Sequence, residues 1–132
     1  MNELRVIIAG SRDFDNYKLL ENESSKVIET EKNENIQSIR IISGTARGAD
    51  QLGEKFANKY NYKLSCFPAE WGLYGKSAGY RRNAEMAKFA VSNNNTGILI
   101  AFWDNKSKGT KYMIDLANRY GLKVYIIKYK GE

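Results

Sequence analysis

Four stretches of this 132-residue chain hold residue types that can grip an anion. The first is Gly10-Ser11-Arg12-Asp13-Phe14, where the glycine lets the backbone turn and approach a ligand, Ser11 adds a hydroxyl donor and Arg12 offers a planar fork of N–H groups suited to phosphate. It is not a full dinucleotide fingerprint, and a tight turn with Arg12 and Asp13 solvated or paired accounts for it equally. The second is Ser43-Gly44-Thr45-Ala46-Arg47-Gly48-Ala49-Asp50. Its small residues leave N–H groups unobstructed at a helix start, where unpaired donors and the helix dipole favour an anion, and Ser43, Thr45 and Arg47 add donors. The structural alternative is a glycine-rich turn closed by Asp50 as a first-turn carboxylate that complements the dipole without any ligand. The third, 103–110, ends in Lys108-Gly109-Thr110, again a small residue and a hydroxyl at a helix start, with Lys106 nearby. The fourth is the longest connection, 68–79, with Glu70, Trp71, Tyr74, Lys76 and Ser77 ahead of Arg81, Arg82, Asn83 and Glu85. Its aromatics either stack on a base or cover the sheet edge.

Five short apolar runs separate these loops: 4–9, 39–42, 64–67, 97–102 and 124–127. They are rich in Ile, Val and aromatics and lack polar alternation, which reads as strands buried on both faces. Between them the spacing is helical: Leu20, Ser24, Val27 and Ile28; then Leu52, Phe56, Ala57 and Tyr60; then Tyr80, Ala84, Ala87 and Val91; then Met113, Leu116, Ala117 and Tyr120. Asn93, Asn94 and Asn95 read as a turn before the fourth strand, and no internal repeat is visible. Strand and helix in alternation give right-handed βαβ units. The expected fold is therefore α/β: a single Rossmann-like three-layer domain over 1–132 with a parallel five-stranded sheet in the order 3-2-1-4-5. In that order the chain reverses direction between strands one and four, and ligands of open α/β sheets bind at the carboxyl ends of the strands there.

Composition narrows the function classes. Hydrophobic residues at 42% and charged residues at 27% suit one globular core. No segment approaches a membrane-spanning apolar run and the first residues do not resemble a secretory leader, so a cytoplasmic protein without a membrane partner is expected. Cys66 is the only cysteine and there is no histidine, which excludes an internal disulfide, a zinc site of His/Cys type and histidine-based catalysis. No cofactor or metal is expected. Lys and Arg number 21 against 15 acidic residues, a net charge of +6, which favours anionic partners; on charge alone an ordinary basic surface accounts for it.

The blocks Gly10-Ser11-Arg12-Asp13-Phe14, Gly44 with Ala46-Arg47-Gly48-Ala49-Asp50, Phe67-Pro68-Ala69-Glu70-Trp71, Gly75-Lys76-Ser77-Ala78-Gly79, Arg82-Asn83-Ala84-Glu85-Met86 and Lys108-Gly109-Thr110 resemble, in order, those of the YspA-type, YpsA-related branch of the SLOG superfamily of Rossmann-like proteins. The resemblance implies a site for nucleotides or nucleotide-derived signals, such as an ADP-ribose derivative or a cyclic nucleotide. It also implies a homo-oligomer that senses or sequesters its ligand, in bacterial antiviral defence or in viral counter-defence. Arg82-Asn83-Ala84-Glu85-Met86 and Gly109-Thr110 are similar as well to blocks of the lysine-decarboxylase-like phosphoribohydrolases, where a glutamate three residues past the Gly-Thr threonine serves N-glycosidic cleavage. That position here is Met113, which cannot activate water or stabilise an oxocarbenium-like centre. A phosphoribohydrolase with Glu85, Asp50, Glu70 or Asp104 as a displaced carboxylate is the alternative, and a nucleic-acid-binding protein the second. The candidate ligand-binding residues are Gly10, Ser11, Arg12, Ser43, Gly44, Arg47, Gly48, Asp50, Trp71, Lys76, Arg82, Asn83, Lys108, Gly109 and Thr110.

Overall fold

Apolar runs without polar alternation are stable as strands only where both faces are covered, which demands helices on either side of the sheet. A computed structural model describes residues 2–129, and it has that arrangement. Strands β1 (Asn2–Gly10), β2 (Ile36–Ser43), β3 (Lys63–Cys66), β4 (Thr96–Trp103) and β5 (Lys123–Lys128) form one parallel sheet in the order β3-β2-β1-β4-β5, as expected. The helices are α1 (Tyr17–Glu31), α2 (Ala49–Lys59), a single turn α3 (Trp71–Tyr74), α4 (Ala78–Val91) and α5 (Lys108–Arg119).

Alternate residues of the central strands face opposite layers. Leu4, Val6 and Ile8 of β1 and Ile98, Ile100 and Phe102 of β4 pack with Leu20 and Ile28 of α1 and Phe56 of α2. Ile7, Leu99 and Ala101 pack with Met86, Ala87 and Ala90 of α4 and Met113 and Ala117 of α5 on the other face. Each fully buried aliphatic side chain contributes about 1.5–3 kcal/mol. Two such layers on a sheet of this size are what hold the strand ends in place.

The sequence reading needs correction at three points. Burial on both faces holds for β1, β4 and the last residues of β2, whereas β3 and β5 are half exposed, because each lies at the rim with a single strand neighbour. The buried face of α4 carries Ala78, Met86, Ala87 and Ala90; Tyr80 is exposed and meets the Tyr112 ring of α5 edge-on at 3.8 Å. The 68–79 connection is mostly ordered, as α3 followed by a turn of 3-10 helix at Gly75–Ser77. One charged residue inside β1, Arg5, is buried because its guanidinium donates to Glu3 Oε1 at 2.9 Å, to the Phe89 carbonyl at 2.6 Å and to Ser92 Oγ at 2.9 Å. This satisfied network lies at the amino end of the strands, away from the candidate loops.

Candidate functional site

Gly10 of β1 pairs with Phe102 of β4, and Ser43 of β2 ends beside them through β1, so the loops after these strands converge at one edge of the sheet. The loop after β2 is held in a strained form. Thr45 has φ +65°, a left-handed conformation that costs a β-branched residue about 1–2 kcal/mol. Two hydrogen bonds offset it: the Thr45 N–H donates to Ser43 Oγ at 3.0 Å, and the Ala46 N–H donates to Asp50 Oδ2 at 3.3 Å. Ser43 is in turn oriented by donating to Glu54 Oε2 at 2.6 Å. Gly48, at φ +82°, lets this loop press on the loop after β1, since a Cβ there would lie 2.4 Å from the Ser11 carbonyl oxygen. At Gly44 a Cβ would lie 2.7 Å from Asp50 Oδ2 and 2.8 Å from Arg82 Nη1, so only glycine admits both charged groups beside the strand end.

Arg82, from the second turn of α4, donates through Nη1 to the Gly44 carbonyl and through Nε to Asn83 Oδ1 at 2.8 Å. Asp50 is only 5% exposed, and burial pushes its carboxyl up to about 6, although Arg82, the Ala46 N–H and Arg12 all work the other way. Burial pulls the Arg82 guanidinium down, Asp50 supports it, and the like charge of Arg12 lowers it further. Among the described residues the side chains of Arg12 and Arg47 have no hydrogen-bond or salt-bridge partner. Arg12 and Arg82 thus both act on one buried carboxylate, Asp50, with Glu54 the acidic group that acts on it in the opposite sense.

Two clefts meet at these guanidiniums. One, of about 110 Å³, lies between α4 and α5 and is lined by Gly10, Arg12, Asp50, Arg82, Asn83, Gly109 and Thr110 over a floor that includes Met86 and Met113. The other, of about 370 Å³, is lined by Arg12, Gly44, Thr45, Arg47, Pro68, Ala69, Trp71 and Arg82. A third, of about 210 Å³, adjoins them at Arg82 and carries Cys66, Glu70, Tyr74, Arg81 and Glu85. Burial pushes the Cys66 thiol up.

Ten of the fifteen candidate residues therefore line the first two clefts: Gly10, Arg12, Gly44, Arg47, Asp50, Trp71, Arg82, Asn83, Gly109 and Thr110. The other five lie elsewhere. Ser43 and Gly48 shape the loop from behind, as described. Ser11 is buried, its hydroxyl near Asp104 and Tyr129 but without a hydrogen bond of good geometry. Lys76 is exposed on the 3-10 turn, and Lys108 lines a neighbouring depression with Lys106 and Lys111. The start of α5 also uses several of its own donors: Ser107 Oγ accepts from the Thr110 N–H at 3.3 Å, and Asp104 Oδ1 accepts from the N–H groups of Lys106 and Ser107, both at 2.8 Å. The start of α2 has no side-chain cap. Met113 lines the smaller cleft, in which Asp50 is the one carboxylate among the lining residues. Sequence reasoning missed Glu54 behind Ser43, which carries no signal without the fold; Ala46, Pro68 and Ala69 stood in the quoted blocks without being singled out as candidates, and they line the larger cleft. No group of carboxylate and cysteine side chains able to hold a metal ion is present among the described residues, and none of the helices there is long and apolar enough to cross a membrane.

Searches of curated proteins and of solved structures find no significant match. A family model does match, over residues 4–74, which takes in β1, the strained loop after β2 and the connection through Trp71. The blocks from Gly75 onward, Arg82 and Gly109-Thr110 among them, lie beyond the matched residues. More than half of the chain is covered, with the glycines that shape the site inside the match, and on that ground this protein belongs to the YspA, cpYpsA-related SLOG family.

Proposed function

We propose that this protein binds a phosphate-bearing, nucleotide-derived ligand at the meeting point of the two clefts, and that it senses or sequesters that ligand without cleaving it. The observation that carries the reading is the placement of Arg12 and Arg82 around a single buried carboxylate, Asp50, at the carboxyl ends of β1 and β2. The Arg12 guanidinium, which lines both clefts without a partner among the described residues, favours a phosphate, which accepts charge-assisted hydrogen bonds from the planar fork. Family membership supports the nucleotide-related character of the ligand. Met113 supports binding over hydrolysis, because a thioether cannot act as base, nucleophile or cation stabiliser in N-glycosidic cleavage.

Native mass spectrometry of protein purified from cells that make candidate signals tests this reading. The expected result is a retained ligand whose mass includes a phosphate and a nucleobase, absent from Arg82→Ala purified in the same way. Protein that retains nothing, and that binds no nucleotide on titration, contradicts it.

A further inference from the structure

We propose that a depression on the outer side of α5 is a docking site for an acidic segment of a partner protein, which seats an aromatic side chain against Trp103 and Tyr112 and sets carboxylates on Lys106 and Lys108. The depression, of about 380 Å³, is completed by Lys111 and Asp115. Lys108, Lys111, Tyr112 and Asp115 form one stripe of α5, opposite its buried Met113 and Ala117. The depression shares only Ser107 with the smaller cleft and no residue with the larger one. The inference therefore does not depend on what fills the clefts.

The aromatic walls are held in place before anything binds. The indole N–H of Trp103 is spent on the Ser107 carbonyl at 3.0 Å, so the ring has no donor left to offer. Tyr112 is braced edge-on by Tyr80 of α4. Rings already fixed lose little freedom when another aromatic packs on them. The rim is positive. Lys106 and Lys108 are exposed and make no salt bridge among the described residues, whereas Lys111 is bound to both carboxylate oxygens of Asp115, at 2.9 and 3.0 Å. Asp104 turns Oδ1 to the N–H groups of Lys106 and Ser107 and to neither ammonium. A fixed aromatic surface beside two unpaired ammonium groups matches an aromatic anchor flanked by carboxylates.

Other occupants fit less well. All the lining residues come from one stretch of chain, 103–115, so the depression is walled from one side and does not enclose a small molecule. A phosphodiester chain needs a continued positive track, but carboxylates stand on both sides of the lysines along the chain, Asp104 before and Asp115 after, with Asp13 beside Asp104 at the Tyr129 hydroxyl. A second copy meeting this face by two-fold symmetry would set lysines against lysines.

Amide chemical-shift mapping and calorimetry with synthetic pentapeptides test the proposal, without any nucleotide present. The first peptide has a central tryptophan flanked by Asp and Glu; the second replaces the tryptophan by glycine, and the third replaces the acidic residues by lysine. The first is expected to shift the N–H groups of Lys106, Ser107, Lys108, Lys111 and Tyr112, and to bind at least about tenfold more tightly than either of the others. Lys106→Glu combined with Lys108→Glu should weaken it by about tenfold or more, while Lys18→Glu combined with Lys26→Glu, two exposed lysines of α1, should leave it unchanged. Thermal melting confirms that the variants are folded. No shifts at these amides, equal binding of the lysine-flanked peptide, or indifference to reversal at Lys106 and Lys108 overturns the proposal. A single-stranded thymidine oligomer that shifts the same amides at lower concentration than the acidic peptide overturns it too, in favour of a nucleic-acid face.

Discussion

Arg82 of α4 donates through Nη1 to the carbonyl oxygen of Gly44, the first residue after β2. One side chain thus ties a helix from one layer to the loop that follows the sheet, and presents the rest of its guanidinium to both clefts. Its structural and ligand-facing roles are separable by experiment. Arg82→Ala should weaken nucleotide binding by roughly one to two orders of magnitude, since a charged hydrogen bond is worth ~1.5–3 kcal/mol. Without ligand it should lower stability by about 1.5–3 kcal/mol, since the charged hydrogen bonds to Gly44 and Asn83 are lost. Arg82→Lys should recover part of the affinity, because an ammonium keeps the charge but loses the fork. Calorimetric titration and thermal melting of the same variants measure both effects.

Gly44→Ala should damage fold and site together. Its methyl group would lie within van der Waals distance of both Asp50 Oδ2 and Arg82 Nη1, and neither can retreat without losing its hydrogen bond. A loss of about 1–3 kcal/mol on denaturant unfolding is expected, the usual cost of overpacking, together with weaker ligand binding. Unchanged stability and affinity would show that the loop is looser than the Gly44 packing implies.

Thr45→Gly should have the opposite sign on stability. Removing the Cβ relieves the left-handed strain, with a gain of up to about 1 kcal/mol after the added unfolded-state entropy is counted. Ser43→Ala, which removes the acceptor of the Thr45 N–H and the link to Glu54, should destabilise the same loop. Melting temperatures of the two variants decide whether the loop is held by these bonds.

The pH dependence of stability follows from two carboxylates shifted in opposite directions. Asp50 is raised by burial to about 6 from 3.8, so its contribution is fully present below about pH 4 and is lost as pH rises through 6. The loss is of the order of 3 kcal/mol at most. Glu3 is desolvated as well, but hydrogen bonds from Arg40, Arg5 and Lys63 outweigh that and hold it at about 2. Its contribution is present above pH 4.5 and is lost as pH falls towards 2. Asp50→Asn should therefore be more stable than wild type at pH 7 to 8 and flatten the profile between about pH 4 and 6, whereas Glu3→Gln should destabilise at neutral pH. Urea unfolding across this range is the measurement.

On the reading of the cleft as a binding site no adenine should be released from AMP, since the Met113 thioether in its wall can act as neither acid nor base. Multiple turnover seen by chromatography, and lost in Asp50→Asn or Glu85→Gln, would mean that a displaced carboxylate does the chemistry.

The fold was readable because periodicity is set by burial: the β1 run is buried almost throughout, and Leu20, Ser24, Val27 and Ile28 are the buried residues of α1. Tyr80 was misjudged because aromatic residues at helical spacing suit a core and a helix–helix rim equally, and only the partner Tyr112 decides between them. The site was legible in its glycines and arginines, which have few other reasons to cluster at strand ends. Its supporting groups were not. Glu54 reaches the site through Ser43, eleven residues away on the next helix, and nothing local marks it. The α5 start looked open in sequence because Gly109-Thr110 is small and polar, but Asp104 and Ser107 already accept from two of its donors, the N–H groups of Ser107 and Thr110.

Amide chemical-shift mapping tests the central claim most directly, because it locates the ligand without assuming an activity. On titration with ADP-ribose, the expected shifts concentrate at the N–H groups of Gly10, Arg12, Gly44, Ala46, Asn83 and Gly109, around the two guanidiniums, and are lost in Arg82→Ala. Shifts clustered instead at the opposite end of the strands, around Glu3, Arg40 and Lys63, or an Arg82→Ala spectrum that responds as wild type does, would contradict a nucleotide site at the carboxyl ends of β1 and β2.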